Sequence, residues 1–199
     1  MEILDAWLTV IARDGWAGAR LGAVATLADI DAGAAADALP DRWMALRAYG
    51  RQLDRAALAE AASDPEGSTR DRLFTMLMER FDAAQVQRPA AQELARAARR
   101  DPGLAAFFLA SLPASLARIA DAAGVETAGL LGPLRVQALT VQYLRVSTTW
   151  LGDDSADLAP TMKALDGALA QAEGWARMIP TRTFTGAEAS RSAGDPPEG

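Results

Sequence analysis

Three neighbouring aspartates, Asp153, Asp154 and Asp157, come nearest to a chemical site by residue type and spacing. Clustered carboxylates can bind Ca²⁺ or Mg²⁺, because both ions prefer oxygen ligands. The spacing of an EF-hand and its closing glutamate are missing, however. An acidic turn before a helix is also explained by capping and by the helix dipole. We therefore interpret these aspartates as capping residues and predict no metal site.

The composition of the chain argues against an enzyme. Its 199 residues include no histidine and no cysteine. This removes the commonest general base, the commonest metal ligand and all thiol chemistry. The sequence shows no nucleophile–base pair, no phosphate-binding glycine loop and no cofactor fingerprint. We predict a protein without catalytic activity or cofactor, and the lack of cysteine fits a cytoplasmic location.

Charge and hydropathy narrow the class of protein further. The net charge of -6 and the pI of about 4.7 argue against indiscriminate binding to nucleic acid or anionic membranes. Glu2 and Asp5 interrupt the first apolar run, so we expect no signal peptide. We also expect no stable membrane span, since no apolar stretch approaches the ~20 residues required. Many alanines, few aromatics and apolar residues at helical spacing predict an all-α fold.

Turn-forming residues divide the chain into a head, a body and a tail. The head, 1–62, comprises an opening helix, two short helices and a long connecting helix. A loop of turn formers at 63–67 separates it from a helical body at 68–179. The tail, 180–199, is rich in Gly, Ser, Thr and Pro and is predicted to be disordered.

The alanine-rich stretch 14–43 predicts two short helices joined by a tight turn. Apolar residues at spacings of three and four give the first of them one apolar face: Leu21, Val24, Ala25 and Ala28. Asp31 is placed to cap the second helix, and Asp41 to cap the long helix that follows. A helix, a tight turn and a short second helix form a helix-turn-helix unit.

This arrangement, with the opening helix and the Asp-Gly-Trp at 14–16, resembles the N-terminal DNA-binding domain of TetR-type transcriptional regulators. The resemblance implies a TetR-like fold, with a helix-turn-helix head and a ligand-binding, dimerising body. The scaffold positions match the family pattern. The DNA-contacting positions mostly do not: 28–31 reads Ala-Asp-Ile-Asp for the family's Ala-Gly-Val-Ser, and 33–36 reads Gly-Ala-Ala-Ala for Gly-Thr-Leu-Tyr.

The predicted reading helix is poorly equipped for DNA. Residues 29–37 contain three aspartates, no cation and no side-chain donor. Duplex DNA is bound mainly through its phosphates by Lys and Arg, and it is read by donors and acceptors at base edges. We therefore expect weak, poorly selective binding to operator DNA. The predicted contacts are Arg13, Arg20, Arg42 and Arg47, together with Asp31, Gly33 and Ala34 at the helix start.

A second resemblance concerns the segment 149–170. It is similar to the C-terminal region of bacterial relatives of the coenzyme Q biosynthesis accessory protein, a lipid-binding protein with a TetR-like fold. The matching residues are Trp150–Leu151, the Asp-Ser-Ala-Asp at 154–157, Thr161 and Leu165–Asp166. This implies an alternative function, a lipid- or isoprenoid-binding accessory protein of ubiquinone biosynthesis that does not bind DNA. The acidic reading helix favours the alternative, and the overall N-terminal pattern favours the regulator.

Two predictions concern the body. Its last two helices offer more apolar surface than one small body can bury, which predicts a homodimer through Val141, Leu144, Trp150, Leu158, Leu165 and Leu169. A ligand cavity is predicted to be lined by Phe74, Met78, Phe107, Phe108, Leu112 and Tyr143. Because these side chains are apolar, the expected ligand is a neutral apolar small molecule or lipid. The leading interpretation is a ligand-responsive, TetR-like transcriptional regulator.

Overall fold

Nine α-helices make up the part of the chain that the computed structural model describes, residues 1–62 and 66–178. A short 3-10 turn, Glu60–Ala62, follows the fourth helix, and the described residues contain no strand. The predicted all-α fold is confirmed. The predicted tail lies outside the described residues. In chain order the helices are α1 (Ile3–Asp14), α2 (Leu21–Ala28), α3 (Ala32–Ala38), α4 (Arg42–Ala59), α5 (Thr69–Gln85), α6 (Arg88–Ala98), α7 (Pro102–Ala122), α8 (Gly132–Leu151) and α9 (Ala159–Met178).

Side-chain caps fix where several helices begin, as the sequence predicts for two of them. The Asp31 carboxylate accepts hydrogen bonds from the backbone N–H groups of Gly33 and Ala34, at 2.8 and 3.0 Å. Asp41 caps α4 in the same way, and Asp101 caps α7. Such caps satisfy N–H groups that have no partner within the helix.

Helices α1 to α3 form the helix-turn-helix unit around a small apolar core. Trp7, Leu8 and Ile11 of α1 are buried, as is Val24 of α2. The Trp7 indole N–H donates to the backbone carbonyl of Leu39 at 3.0 Å, which fixes the exit from α3 against α1. The chain leaves α2 through Asp29, whose φ of 57° lies in the left-handed region and produces the tight turn.

Helix α7 corrects one expectation from the sequence. It is 21 residues long and contains an 18-residue window with a mean hydropathy of 1.6, so by length and composition alone it could cross a membrane. It packs against α4, α5, α6 and α8, and its residues Leu104, Leu116 and Ile119 are fully buried. An apolar helix of this kind is also typical of a protein core, although only 33% of the apolar window is buried here.

Helices α8 and α9 pack against each other, and this packing uses most of the predicted interface residues. Trp150, Leu158, Leu165 and Leu169 are buried within the single chain, with Leu165 only 1% exposed. Because their side chains already lie in the chain's own core, they leave little surface for a second subunit. Val141 and Leu144 remain 47% and 40% exposed.

The acidic turn between α8 and α9 organises the start of α9. Both Thr161 donors, the backbone N–H and the hydroxyl, bind Asp153 Oδ2 at 3.0 and 2.6 Å. Hydrogen bonds from Ser155 and then Thr161 lower the pKa of Asp153 to about 2. Asp157 accepts from the Ala159 N–H, as the capping interpretation expects, whereas Asp154 pairs with Arg88. No group of acidic residues in the described ranges is arranged to hold a metal ion.

Candidate functional site

A cavity of about 680 Å³ lies in the body between helices α4, α5, α6, α7 and α8. This volume falls in the range of roughly 300–1,000 Å³ that is usual for small-molecule sites. The cavity reaches solvent beside Leu109 and Leu144, which are 66% and 40% exposed. Most of its wall is apolar and includes Leu46, Leu53, Phe81, Leu94, Phe107, Phe108, Leu112 and Trp150.

The structure brings together four of the six residues predicted to line this cavity: Phe107, Phe108, Leu112 and Tyr143. Phe74 and Met78 do not line it. On α5 the cavity is reached only by the C-terminal half, through Arg80, Phe81 and Ala84. Phe74 lies about two turns earlier on the helix, and Met78 is buried in the core. Helical periodicity identifies an apolar face, but it does not show which part of that face borders a void.

One end of the cavity carries a polar cluster, formed by Asp54, Arg80, Ser115, Arg118 and Tyr143. The Asp54 carboxylate accepts from Arg80 Nε at 3.3 Å, from Arg118 Nη2 at 2.6 Å and from the Ser115 hydroxyl. Arg80 also donates to the Tyr143 hydroxyl. Burial opposes the charge of Arg80, but Tyr143 and Asp54 outweigh it and raise the pKa of the guanidinium. The cluster therefore holds two positive charges against one negative charge.

Tyr49 adds a polar group that has no partner. Its side chain lines the cavity and is buried, and its hydroxyl makes no hydrogen bond with any described residue. Burial raises the pKa of Tyr49; nearby Tyr143 raises it further and Arg80 opposes the rise. The hydroxyl is thus a neutral donor in the cavity wall. A buried donor without an acceptor is costly unless water or a ligand accepts its hydrogen bond.

Arginine dominates the charge around the cavity. Five arginines line it, against one carboxylate, that of Asp54: Arg47, Arg51, Arg80, Arg99 and Arg118. Among the described residues no carboxylate forms a salt bridge with Arg47, Arg51 or Arg99. The positive charge of the cavity wall was not predicted from the sequence. One available signal was Arg80, which stands within the otherwise apolar face of α5.

The candidate DNA-binding face is formed by the turn before α3 and the exposed side of α3, residues 29–38; we call it the reading face. Ala32, Gly33, Ala34 and Asp37 are exposed there. The N–H groups of Gly33 and Ala34 already donate to Asp31. They are therefore not available to a phosphate, contrary to the expectation that the start of this helix would contribute contacts.

Two of the four predicted DNA-contacting arginines are engaged by aromatic side chains. Arg13 and Arg20 are exposed in the head, and Arg13 pairs with Asp14 at 2.7 Å. Arg42 donates to the Trp16 carbonyl at 2.8 Å and lies over the Trp16 ring. Arg47 lies over Phe107 at the cavity wall. Arg42 and Arg47 therefore contribute to the junction between head and body.

Aromatic contacts connect the head to this cavity wall. The Trp16 indole N–H donates to Asp101 Oδ2 at 3.0 Å, so the residue that caps α7 is also bound to the head. The Trp16 ring meets Trp43 edge-on at 4.8 Å between centroids, and Trp43 contacts Phe107 at 5.6 Å. A continuous set of packed side chains thus runs from the helix-turn-helix unit to the cavity.

Comparison with solved structures identifies this arrangement of helices. The chain superposes on a TetR transcriptional regulator from Nitrosomonas europaea ATCC 19718 with a TM-score of 0.72, at 19% identity over 86% of this chain and 96% of that one. The chain has a TetR-like fold. A putative TetR-family regulator from Rhodococcus sp. gives a TM-score of 0.60 at 24% identity, over 86% and 95% of the two chains. A transcriptional regulator from Rhodococcus sp. Rha1 gives 0.59 at 22% identity, over 89% and 97%.

The TetR-like fold is the part of the similarity that such low identities support. No protein-family model matches the chain, and no curated protein matches it. The first resemblance seen in the sequence is confirmed at the level of the fold. The second, of segment 149–170 to the coenzyme Q accessory proteins, is not shown by these comparisons.

Proposed function

We propose that this protein is a ligand-responsive transcriptional regulator, in which occupation of the body cavity changes the affinity of the helix-turn-helix head for DNA. The observation that carries the proposal is the packed connection between the two. Trp16 of the head is hydrogen-bonded to Asp101 at the start of α7, and Trp43 contacts Phe107 in the cavity wall. Similarity to solved regulators of the same fold supports it.

Helix α4 gives the proposal its mechanism. Its first turn packs on the head through Arg42 and Trp43, and its middle supplies cavity wall from Leu46 to Asp54. A ligand that fits one arrangement of α4 and α7 better than another shifts the population of head positions. By linkage, DNA and ligand then change each other's affinity by the same factor.

We further propose a cytoplasmic homodimer, formed through the outer surfaces of α8 and α9. The buried residues on these helices can contribute little to it, so Val141, Leu144 and Met162, 47%, 40% and 40% exposed, are its apolar candidates. A charge at Val141 should then dissociate the dimer in light scattering. A charge at Leu165 should instead unfold the chain, since that side chain is in the core.

DNA binding is proposed to be weak and mainly to phosphates. Arg20 is exposed without a salt bridge to any described residue, and Arg13 must leave Asp14 to reach a phosphate. Each phosphate contact contributes about -0.9 to the slope of log affinity against log salt, so two contacts give a slope near -2. Fluorescence anisotropy with the DNA upstream of its own gene, measured from low to physiological salt, tests this. A much steeper slope with tight, selective binding would show that another surface reads DNA.

The acidic reading face supports a second candidate, a ligand-binding protein of the same fold that has lost DNA recognition. Three aspartates on that face repel phosphates, and no described residue there supplies a donor for base edges. A lipid or isoprenoid carrier that delivers its ligand to a partner enzyme would need only the cavity. Absence of binding to any genomic fragment, even at low salt, would favour this candidate over the regulator.

A further inference from the structure

The charge of the cavity does not match the neutral, apolar ligand that the sequence suggests. The wall carries five arginines and one carboxylate within a protein whose net charge is -6. Arg80, one of these arginines, is buried. The other four arginines are exposed to solvent, but a ligand without a hydrogen-bond acceptor would leave the buried Tyr49 hydroxyl unpaired, which costs free energy. The site therefore selects against such a ligand.

Asp54 does not remove this mismatch. Its two oxygens already accept from Arg80, Arg118 and Ser115, so it is shared between two guanidinium groups and leaves the polar cluster with a net positive charge. Arg51 and Arg99 have no carboxylate partner among the described residues. The buried Tyr49 hydroxyl, which has no partner among the described residues, is a further donor in the cavity wall.

The two parts of the cavity thus call for different chemistry. Its walls are aromatic and aliphatic, from Phe107 and Phe108 to Trp150, and they fit a hydrocarbon or aromatic frame. The end at Asp54 presents donors and positive charge, which fit a carboxylate or a similar oxyanion. We propose that the cavity binds an amphipathic organic anion, with its acidic group held by the Tyr49 hydroxyl and by the guanidinium groups of Arg80 and Arg118. This deepens the proposed function and rests on its claim that the cavity is a ligand site.

The test compares three probes that share one alkyl chain and differ only in head group: octanoate, octanol and octylammonium. Isothermal titration calorimetry of the full chain near neutral pH, without DNA, measures each affinity. We expect octanoate to bind at least about tenfold more tightly than octanol, the ratio that one hydrogen bond to a charged group supplies. Octylammonium should bind more weakly than octanol, because the arginines repel it.

Two variants test whether the acidic group of the ligand is bound by Tyr49 and Arg118. Tyr49→Phe removes only a hydroxyl that has no partner, so the fold should be unaffected while the preference for octanoate over octanol falls severalfold. Arg118→Gln, at a half-exposed side chain, should reduce the same preference. Circular dichroism and thermal unfolding of both variants check that any loss is not caused by misfolding.

A matched pair on α4 controls for general electrostatic attraction. Arg51 and Arg55 are both exposed and have no salt bridge to a described residue, but only Arg51 lines the cavity. Arg51→Gln should weaken octanoate binding, and Arg55→Gln should leave it unchanged. Equal losses of octanoate affinity in the two variants would mean that octanoate is attracted by the surface as a whole, and this would overturn the assignment.

The remaining outcomes also decide the inference. If octanol bound as tightly as octanoate, the neutral ligand expected from the sequence would be favoured again. If octylammonium bound more tightly than octanoate, the site would prefer a cation to an anion. Failure of all three probes to bind would also overturn it. The calorimetry contains no DNA, so its result does not depend on DNA binding. A protein that prefers octanoate but binds no DNA in a separate assay would refute the proposed regulation and leave this inference standing.

Discussion

Arginine is placed very differently in the two regions that face outside molecules, the cavity and the reading face. Five arginines line the cavity, and two of the cations predicted to touch DNA, Arg42 and Arg47, belong to the junction or to the cavity wall. Around the reading face three aspartates remain, and residues 29–38 contain no arginine. The described residues therefore place more positive charge at the cavity than at the reading face.

Breaking the polar cluster should produce the largest effect on stability. Asp54→Ala leaves the buried Arg80 without its carboxylate, so we expect the free energy of unfolding to fall by about 3–5 kcal/mol. Urea unfolding monitored by circular dichroism measures this change. The control is Asp37→Ala on the reading face, which should change stability by no more than about 0.5 kcal/mol. Similar losses at the two positions would show that Asp54 does not anchor the cluster.

Adding a cation to the reading face should make its charge more like that of the cavity and strengthen its contact with DNA. Asp37→Arg removes a repulsive charge and supplies one phosphate contact, so the slope of log affinity against log salt should steepen by about 0.9. Fluorescence anisotropy measures the slope. Asp82→Arg changes the net charge equally at an exposed site on α5. If both variants steepened the slope equally, the reading face would not be the surface that meets DNA.

A smaller effect is expected at the junction of head and body, and it depends on pH. Hydrogen bonds from the Leu104 N–H, the Trp16 indole and the Gly103 N–H lower the pKa of Asp101 below its ordinary value of 3.8. A lowered folded-state pKa stabilises the fold above the unfolded-state pKa, and that stabilisation disappears as pH falls through the folded-state value. Asp101→Asn keeps a capping side chain but loses the charge.

The difference in unfolding free energy between wild type and Asp101→Asn should therefore be present near neutral pH and shrink as pH falls below 3.8. Urea titrations at several pH values measure this difference. A difference that did not change with pH would mean that the charge of Asp101 does not stabilise the junction.

The sequence predicts what depends on local pattern and misses what depends on distant contacts. The caps Asp31 and Asp41 and the helix-turn-helix unit follow from residue types a few positions apart. Asp54 and Arg118 are 64 residues apart in sequence, and no periodicity links them. Similarly, the apolar stripes of α8 and α9 indicate burial but not whether the chain itself or a second subunit provides it. Leu165 and Leu169 prove to face the chain's own core.

The coupling between cavity and head is tested most directly by DNA affinity with and without a ligand that is shown to be bound. Fluorescence anisotropy with the DNA upstream of its own gene, at low salt, is measured with no addition and with octanoate at a concentration that saturates the cavity by calorimetry. A coupling of ordinary size changes the affinity at least about fivefold. The account predicts such a change, and Tyr49→Phe should need a severalfold higher octanoate concentration to reach it. Equal DNA affinities for the free and the octanoate-saturated protein would contradict it.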